Sequence, residues 1–134
     1  MKKFLILIIT LCLTACGLGT PNNSQVRKYG EKIFFADGKE LKFPDFSIKF
    51  TGKHETTSSA LKMTFYDFVV TENDRAQTVK WSSGTGDIAP TSFIVDGTDF
   101  LLELGQSDVI KGGLGEGNLV IWKKTDFDEA KKKQ

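Results

Sequence analysis

Few residues of this chain are of a type and spacing that could do chemistry. His54 is followed directly by Glu55, and a histidine beside a carboxylate can move protons. The two end a run that alternates like a strand, where neighbours point to opposite faces. They are therefore expected to look away from each other. None of the serines sits in a G-x-S-x-G elbow. Asp96-Gly97-Thr98-Asp99 places two carboxylates near a turn, far short of the roughly six or more oxygens that calcium takes. Gly112-Gly113-Leu114-Gly115-Glu116-Gly117 has the glycine content of a phosphate cradle. Such a cradle opens a helix whose N–H groups face the anion. Here the glycines lead into Leu119-Val120-Ile121-Trp122, a strand pattern. The expectation is a chain with no catalytic residue, no metal site and no cofactor.

The cysteines point to a different chemistry. Lys2 and Lys3 precede an apolar run from Phe4 to Leu13, too short to be a permanent span. It ends in Leu13-Thr14-Ala15-Cys16. This N-terminus resembles that of bacterial lipoproteins, whose lipobox is an aliphatic residue, two small residues and a cysteine. The small residues let a peptidase close around extended backbone just before the cysteine. The resemblance covers residues 1–16. It implies that 1–15 is a removed signal peptide, that Cys12 leaves with it, and that Cys16 carries a diacylglyceryl group. More than one acyl chain gives stable anchoring, because each buried CH₂ contributes about 0.8 kcal/mol. In diderm members an Asp after the cysteine marks inner-membrane retention. Gly17 stands there instead, which implies an outer-membrane anchor facing the periplasm, or the outside of the cell in a host with one membrane.

Composition narrows the rest. The 134 residues include 18 Lys+Arg, 17 Asp+Glu, one His and two Cys. Loss of Lys2 and Lys3 with the signal leaves 16 basic residues against 17 acidic ones, so no basic surplus suggests nucleic acid. One remaining Cys permits no intramolecular disulfide, and with a lone His it argues against a zinc site. Removing fifteen of the 134 residues leaves 119, enough for one domain.

The elements that must position any site have period two. Phe46-Ser47-Ile48-Lys49-Phe50-Thr51 and Leu61-Lys62-Met63-Thr64-Phe65 alternate apolar and polar residues. The alternation blurs at Tyr66-Asp67-Phe68-Val69-Val70, which predicts a bulge or burial on both faces there. Asp37-Gly38 and Asp96-Gly97 each divide two strand-like runs and predict tight hairpins. Seven or eight strands are expected, near 32–36, 40–43, 46–54, 61–71, 77–82, 91–95, 99–105 and 118–124. They predict an all-β fold, a small antiparallel β-sandwich or barrel. A short helix is expected over 126–132, with Thr125 as its N-cap. The expected organisation is a signal over 1–15, a flexible lipid-anchored tether over 16–28, a β domain over 29–127 and a charged tail over 128–134.

With no convergent catalytic set, binding is the expected activity, with an envelope protein as partner. The small-residue stretch from Ser82 to Asp87 and the glycine run are expected to form recognition loops. Trp81, Gly84, Gly86, Gly113, Gly115 and Trp122 are the candidate partner-binding residues, and Tyr66 is a further aromatic candidate. A carrier or sensor of a small apolar ligand is the alternative. Gly115-Glu116-Gly117-Asn118-Leu119-Val120-Ile121-Trp122-Lys123-Lys124 is also similar to the strand segment of membrane-bound inhibitors of c-type lysozyme. That family's disulfide and loop serine are missing here, so no inhibitory residue carries over. The lipobox makes a direct prediction: Cys16→Ser abolishes incorporation of labelled palmitate and moves the chain out of the detergent phase, and undiminished labelling would refute it.

Overall fold

Among the described residues, apolar–polar alternation builds eight strands and a helix follows them: β1 (Ile33–Phe34), β2 (Glu40–Lys42), β3 (Ser47–Ser58), β4 (Leu61–Glu72), β5 (Arg75–Ser83), β6 (Thr91–Val95), β7 (Thr98–Gly105), β8 (Gly115–Lys123) and α1 (Lys124–Lys132). The structure, a computed structural model, describes residues 25–84 and 89–134. The signal segment, Cys16, most of the expected tether and Gly86 lie outside the described residues. Two antiparallel sheets, ordered β2-β3-β4-β5 and β1-β8-β7-β6, form an all-β sandwich.

The turns follow from backbone sterics. Asp96 and Gly97 have φ of 46° and 73° and set Val95 opposite Thr98, as a two-residue turn with positive φ at both positions requires. Glu72 lies opposite Arg75, so Asn73-Asp74 closes a tighter hairpin than the polar stretch 71–75 suggests. Asp37-Gly38 does not close the predicted hairpin. β1 pairs with β8, and β2 pairs with β3. The turn, closed by the Lys39 N–H donating to the Ala36 carbonyl at 3.1 Å, instead carries the chain between the sheets. Ile33 and Leu41 then enter the core from opposite sides. The predicted irregularity around 66–70 falls on the neighbouring strand, where Thr51 interrupts the register between Phe50 and Gly52.

Rings fill the space between the sheets. At one end Phe46 meets Phe93 and Phe100 edge-on, with centroids 5.4 and 5.0 Å apart. At the other Phe35 meets Phe50 and Phe68 at 5.1 and 5.3 Å. Edge-to-face contacts of this kind add to the stabilisation from burial. Both open sides of the sandwich are laced. On one, the Arg27 N–H donates to the Lys42 carbonyl at 2.7 Å, and the Gly30 N–H to that of Ile121 at 2.8 Å. On the other, Gln77 Nε2 donates to the Ile94 carbonyl at 2.7 Å. Val26 already bridges to Lys42, three residues before the expected start of the domain at Tyr29.

The outer face of the second sheet carries a smaller core. Leu101, Leu114, Val120 and Phe127 are buried there, beneath α1 and the segment between β7 and β8. The helix includes much of the expected tail, and Lys131 pairs with Asp108 at 3.0 Å. Thr125 is not its N-cap. β8 runs straight into the helix, so Lys123 takes the cap position without a side-chain bond.

Tyr29 joins the two ends of the lacing segment to the core. Its ring stacks on Phe43 at 5.5 Å, and its hydroxyl donates to Asp45 Oδ2 at 2.7 Å. Burial, reinforced by the Asp45 carboxylate, pushes its pKa well above the ordinary value of 10.0. The unfolded chain releases this proton near pH 10, and the folded chain keeps it. The contribution is therefore complete below pH 10 and drains as pH rises above it. Denaturation midpoints of wild type and Tyr29→Phe measured from about pH 8 to about pH 11 should show the wild type losing more. Parallel curves would rule the linkage out.

Candidate functional site

At the Phe35 end of the sandwich the sheets part and leave a cleft of about 350 Å³. Inward alternation supplies its walls. Tyr66 on β4 and Trp81 on β5 are cross-strand partners, with rings 5.6 Å apart and nearly perpendicular. Phe35 stands edge-on to Tyr66 at 6.4 Å, and Leu104 comes from β7. Ser83, Gln106 and the stretch Gly115 to Asn118 form the rim. The Lys53 ammonium lies over the Tyr66 ring, 5.4 Å from its centroid.

The glycines set the rim by close approach. A Cβ on Gly113 would meet the Gly105 carbonyl at 3.0 Å, and one on Gly117 would meet the Phe34 ring at 3.0 Å. Both also have positive φ, 73° and 74°, which disfavours any side chain. The Leu114 N–H donates to the Gly105 carbonyl at 2.6 Å and brings Gly115 opposite Gly105.

Trp81 is the polar anomaly of the cleft. It is 4% exposed, yet its indole N–H has no acceptor among the described residues. A buried donor left unpaired costs about 1–3 kcal/mol. The nitrogen itself is closed to solvent, so a ligand that parts the cleft walls and brings an acceptor to it would remove that cost.

The sequence candidates divide between places. Trp81 and Gly115 line the cleft with Tyr66. Gly84 follows the rim residue Ser83 and lies near Met63, and Gly113 supports the rim from behind. Trp122 lies elsewhere, on the outer face of β8. Its ring packs edge-on against Phe127 at 6.0 Å, and its Nε1 donates to Glu103 Oε2 at 2.7 Å. Phe35, Leu104, Gly105, Gln106 and Asn118 are the lining residues that sequence reasoning passed over. Alternation marks Phe35 and Leu104 as inward but does not tell which inward residue ends at an opening.

His54 and Glu55 do face apart. Glu55 pairs with Lys62 at 2.9 Å, and this lowers its pKa through the hydrogen bond and the neighbouring charge. His54 Nδ1 instead lies 3.2 Å from Asp67 Oδ2, and its ring stacks on Phe65 at 5.0 Å. This pair sits on the outer face of the first sheet, away from the cleft.

No family model, curated protein or solved structure matches the chain.

The two tryptophans give a contrast in stability. Trp122→Phe removes a donor from a buried carboxylate and should cost about 2–4 kcal/mol. Trp81→Phe removes an unpaired donor along with some ring volume, so the two effects offset to about 1 kcal/mol or less. Urea denaturation of both variants checks the order, and an equal or larger loss at Trp81 would contradict it.

Proposed function

We propose that the chain is a lipoprotein of a bacterial envelope, anchored through acylated Cys16, whose β-sandwich binds an envelope protein without catalysing a reaction. The signal-like N-terminus supports the anchor. The unpaired, buried indole N–H of Trp81 in an aromatic cleft carries the binding reading. Recognition sites favour such a large amphipathic ring with one polar atom left for the partner. The rim sets the bare backbone of Gly115 and Gly117 among the polar Ser83, Gln106, Glu116 and Asn118, and the glycines let a partner's main chain or a projecting side chain come close. In a diderm host the anchor would lie in the outer membrane with the cleft facing the periplasm.

A second reading, a carrier of a small apolar ligand, draws on the same cleft. The sandwich interior is filled by phenylalanines, so a ligand would have to enter at this end. The cleft volume lies near the small end of the range for small-molecule sites, about 300–1,000 Å³.

Native mass spectrometry of the lipoprotein, gently extracted from its own envelope, separates the readings. A stoichiometric protein companion is the expected result. Trp81→Phe should weaken the isolated pair about five- to tenfold, the loss of one hydrogen bond. A small-molecule mass excess beyond the acyl chains would favour the carrier, and a bare chain would refute stable partnership.

A further inference from the structure

A second depression, of opposite character to the cleft, lies near the N-terminal end of the described chain. It is about 320 Å³ in volume and is built between Gln25 and Lys39. Arg27, Lys28, Lys32 and Lys39 line it against a single acidic residue, Glu31. None of the four cations makes an ion pair among the described residues. Two apolar side chains stand bare beside them, Val26 at 55% and Phe34 at 62% exposure. Phe35 turns into the core while Phe34 turns out, so this face is distinct from the Trp81 cleft.

Uncompensated cations beside bare apolar side chains match one kind of surface well. At an anionic bilayer the cations meet headgroup phosphates, and the apolar side chains reach the acyl boundary. Position argues the same way. Gln25 follows Cys16 by nine residues, a reach of at most about 30 Å. The face nearest the proposed anchor gathers four of the unpaired cations in one depression. The whole chain is close to neutral, so this is a local concentration of charge that net charge does not reveal.

We infer that this face rests on the anionic phospholipid headgroups of the membrane that holds the anchor. The choice of that membrane depends on the lipoprotein reading, but the chemistry of the face does not. The domain then lies on the bilayer with the depression against it, and the anchor no longer leaves its orientation free.

Lysine acetylation of the full-length protein tests this. The chain is placed on vesicles of phosphatidylcholine alone or mixed with phosphatidylglycerol, and acetylation rates are read lysine by lysine by mass spectrometry. Lys28, Lys32 and Lys39 should react about fivefold or more slowly with phosphatidylglycerol present, as each such cation gains from the anionic surface. Lys80, on the opposite edge of the first sheet, and Lys111 should not change. High salt should restore the rates, and Lys32→Glu with Lys39→Glu should expose Lys28. Equal rates on both vesicles would overturn the inference. Equal protection by inorganic phosphate alone would also overturn it and leave a site for free anions. The intact mass of the same sample reads the anchor separately. Acylated Cys16 without protection defeats this face alone. Protection without acylation defeats the anchor and leaves the face standing.

Discussion

The cleft owes its rim to a carboxylate buried on the far side of the sheet. Glu103 is 2% exposed, at a position of β7 where alternation would put it in water. Its oxygens accept from Trp122 Nε1 at 2.7 Å, from Ser107 Oγ at 2.9 Å and from the Asp108 N–H at 3.2 Å. Ser107 Oγ in turn accepts from the N–H groups of Val109 and Ile110. One acidic side chain thus satisfies a tight turn of backbone and fixes the indole against α1. Such a group costs several kcal/mol to bury and is retained only when its lone pairs are occupied. The folded segment covers Leu101 and Val120 and drives Leu114 inward, and the next residue out is Gly115 at the rim. The cleft and the outer core therefore fail or hold together.

The indole pair shows the two uses of one side chain. Trp122 spends its N–H on Glu103 and is structural. Trp81 has a comparable place in a strand but no such partner. What distinguishes them is the cover supplied by α1 and the β7–β8 segment on one face, against the parting of the sheets on the other.

Much of the architecture was legible because period two is a local signal. The eight strands sit where alternation put them, with ends shifted by a few residues, and Asp96-Gly97 forms its turn because only its own φ angles matter. What local pattern could not carry was pairing decided elsewhere. Asp37-Gly38 has the same turn chemistry, yet β1 finds its partner in β8, over eighty residues on. Glu103 is buried although β7 turns it away from the central core, because its cover comes from later residues. The nearness of His54 and Asp67 depends on strand register across a bulge at Thr51. The candidate site divided in the same way. Trp81, Tyr66 and Gly115 were within reach, but the grouping that excludes Trp122 required knowing which face α1 covers.

The lacing of the open side also governs how the domain meets a mechanical load. A pull on the N-terminal strand of the chain first reaches the Arg27–Lys42 bond, then Gly30–Ile121, and then Phe35–Gly117. These bonds lie one after another along the chain, so each carries the tension by itself before the next is engaged. Between the first two bonds Tyr29 passes load to the Phe43, Phe46 and Phe100 rings, and Ile33 and Phe35 pass it to the rest of the core. A domain pulled from its N-terminal side thus peels in steps at its margin, and each step loosens the rings packed behind it. The rim at Gly117 is the last of these stations, so strain strong enough to reach it would open the cleft before it unfolded the sandwich.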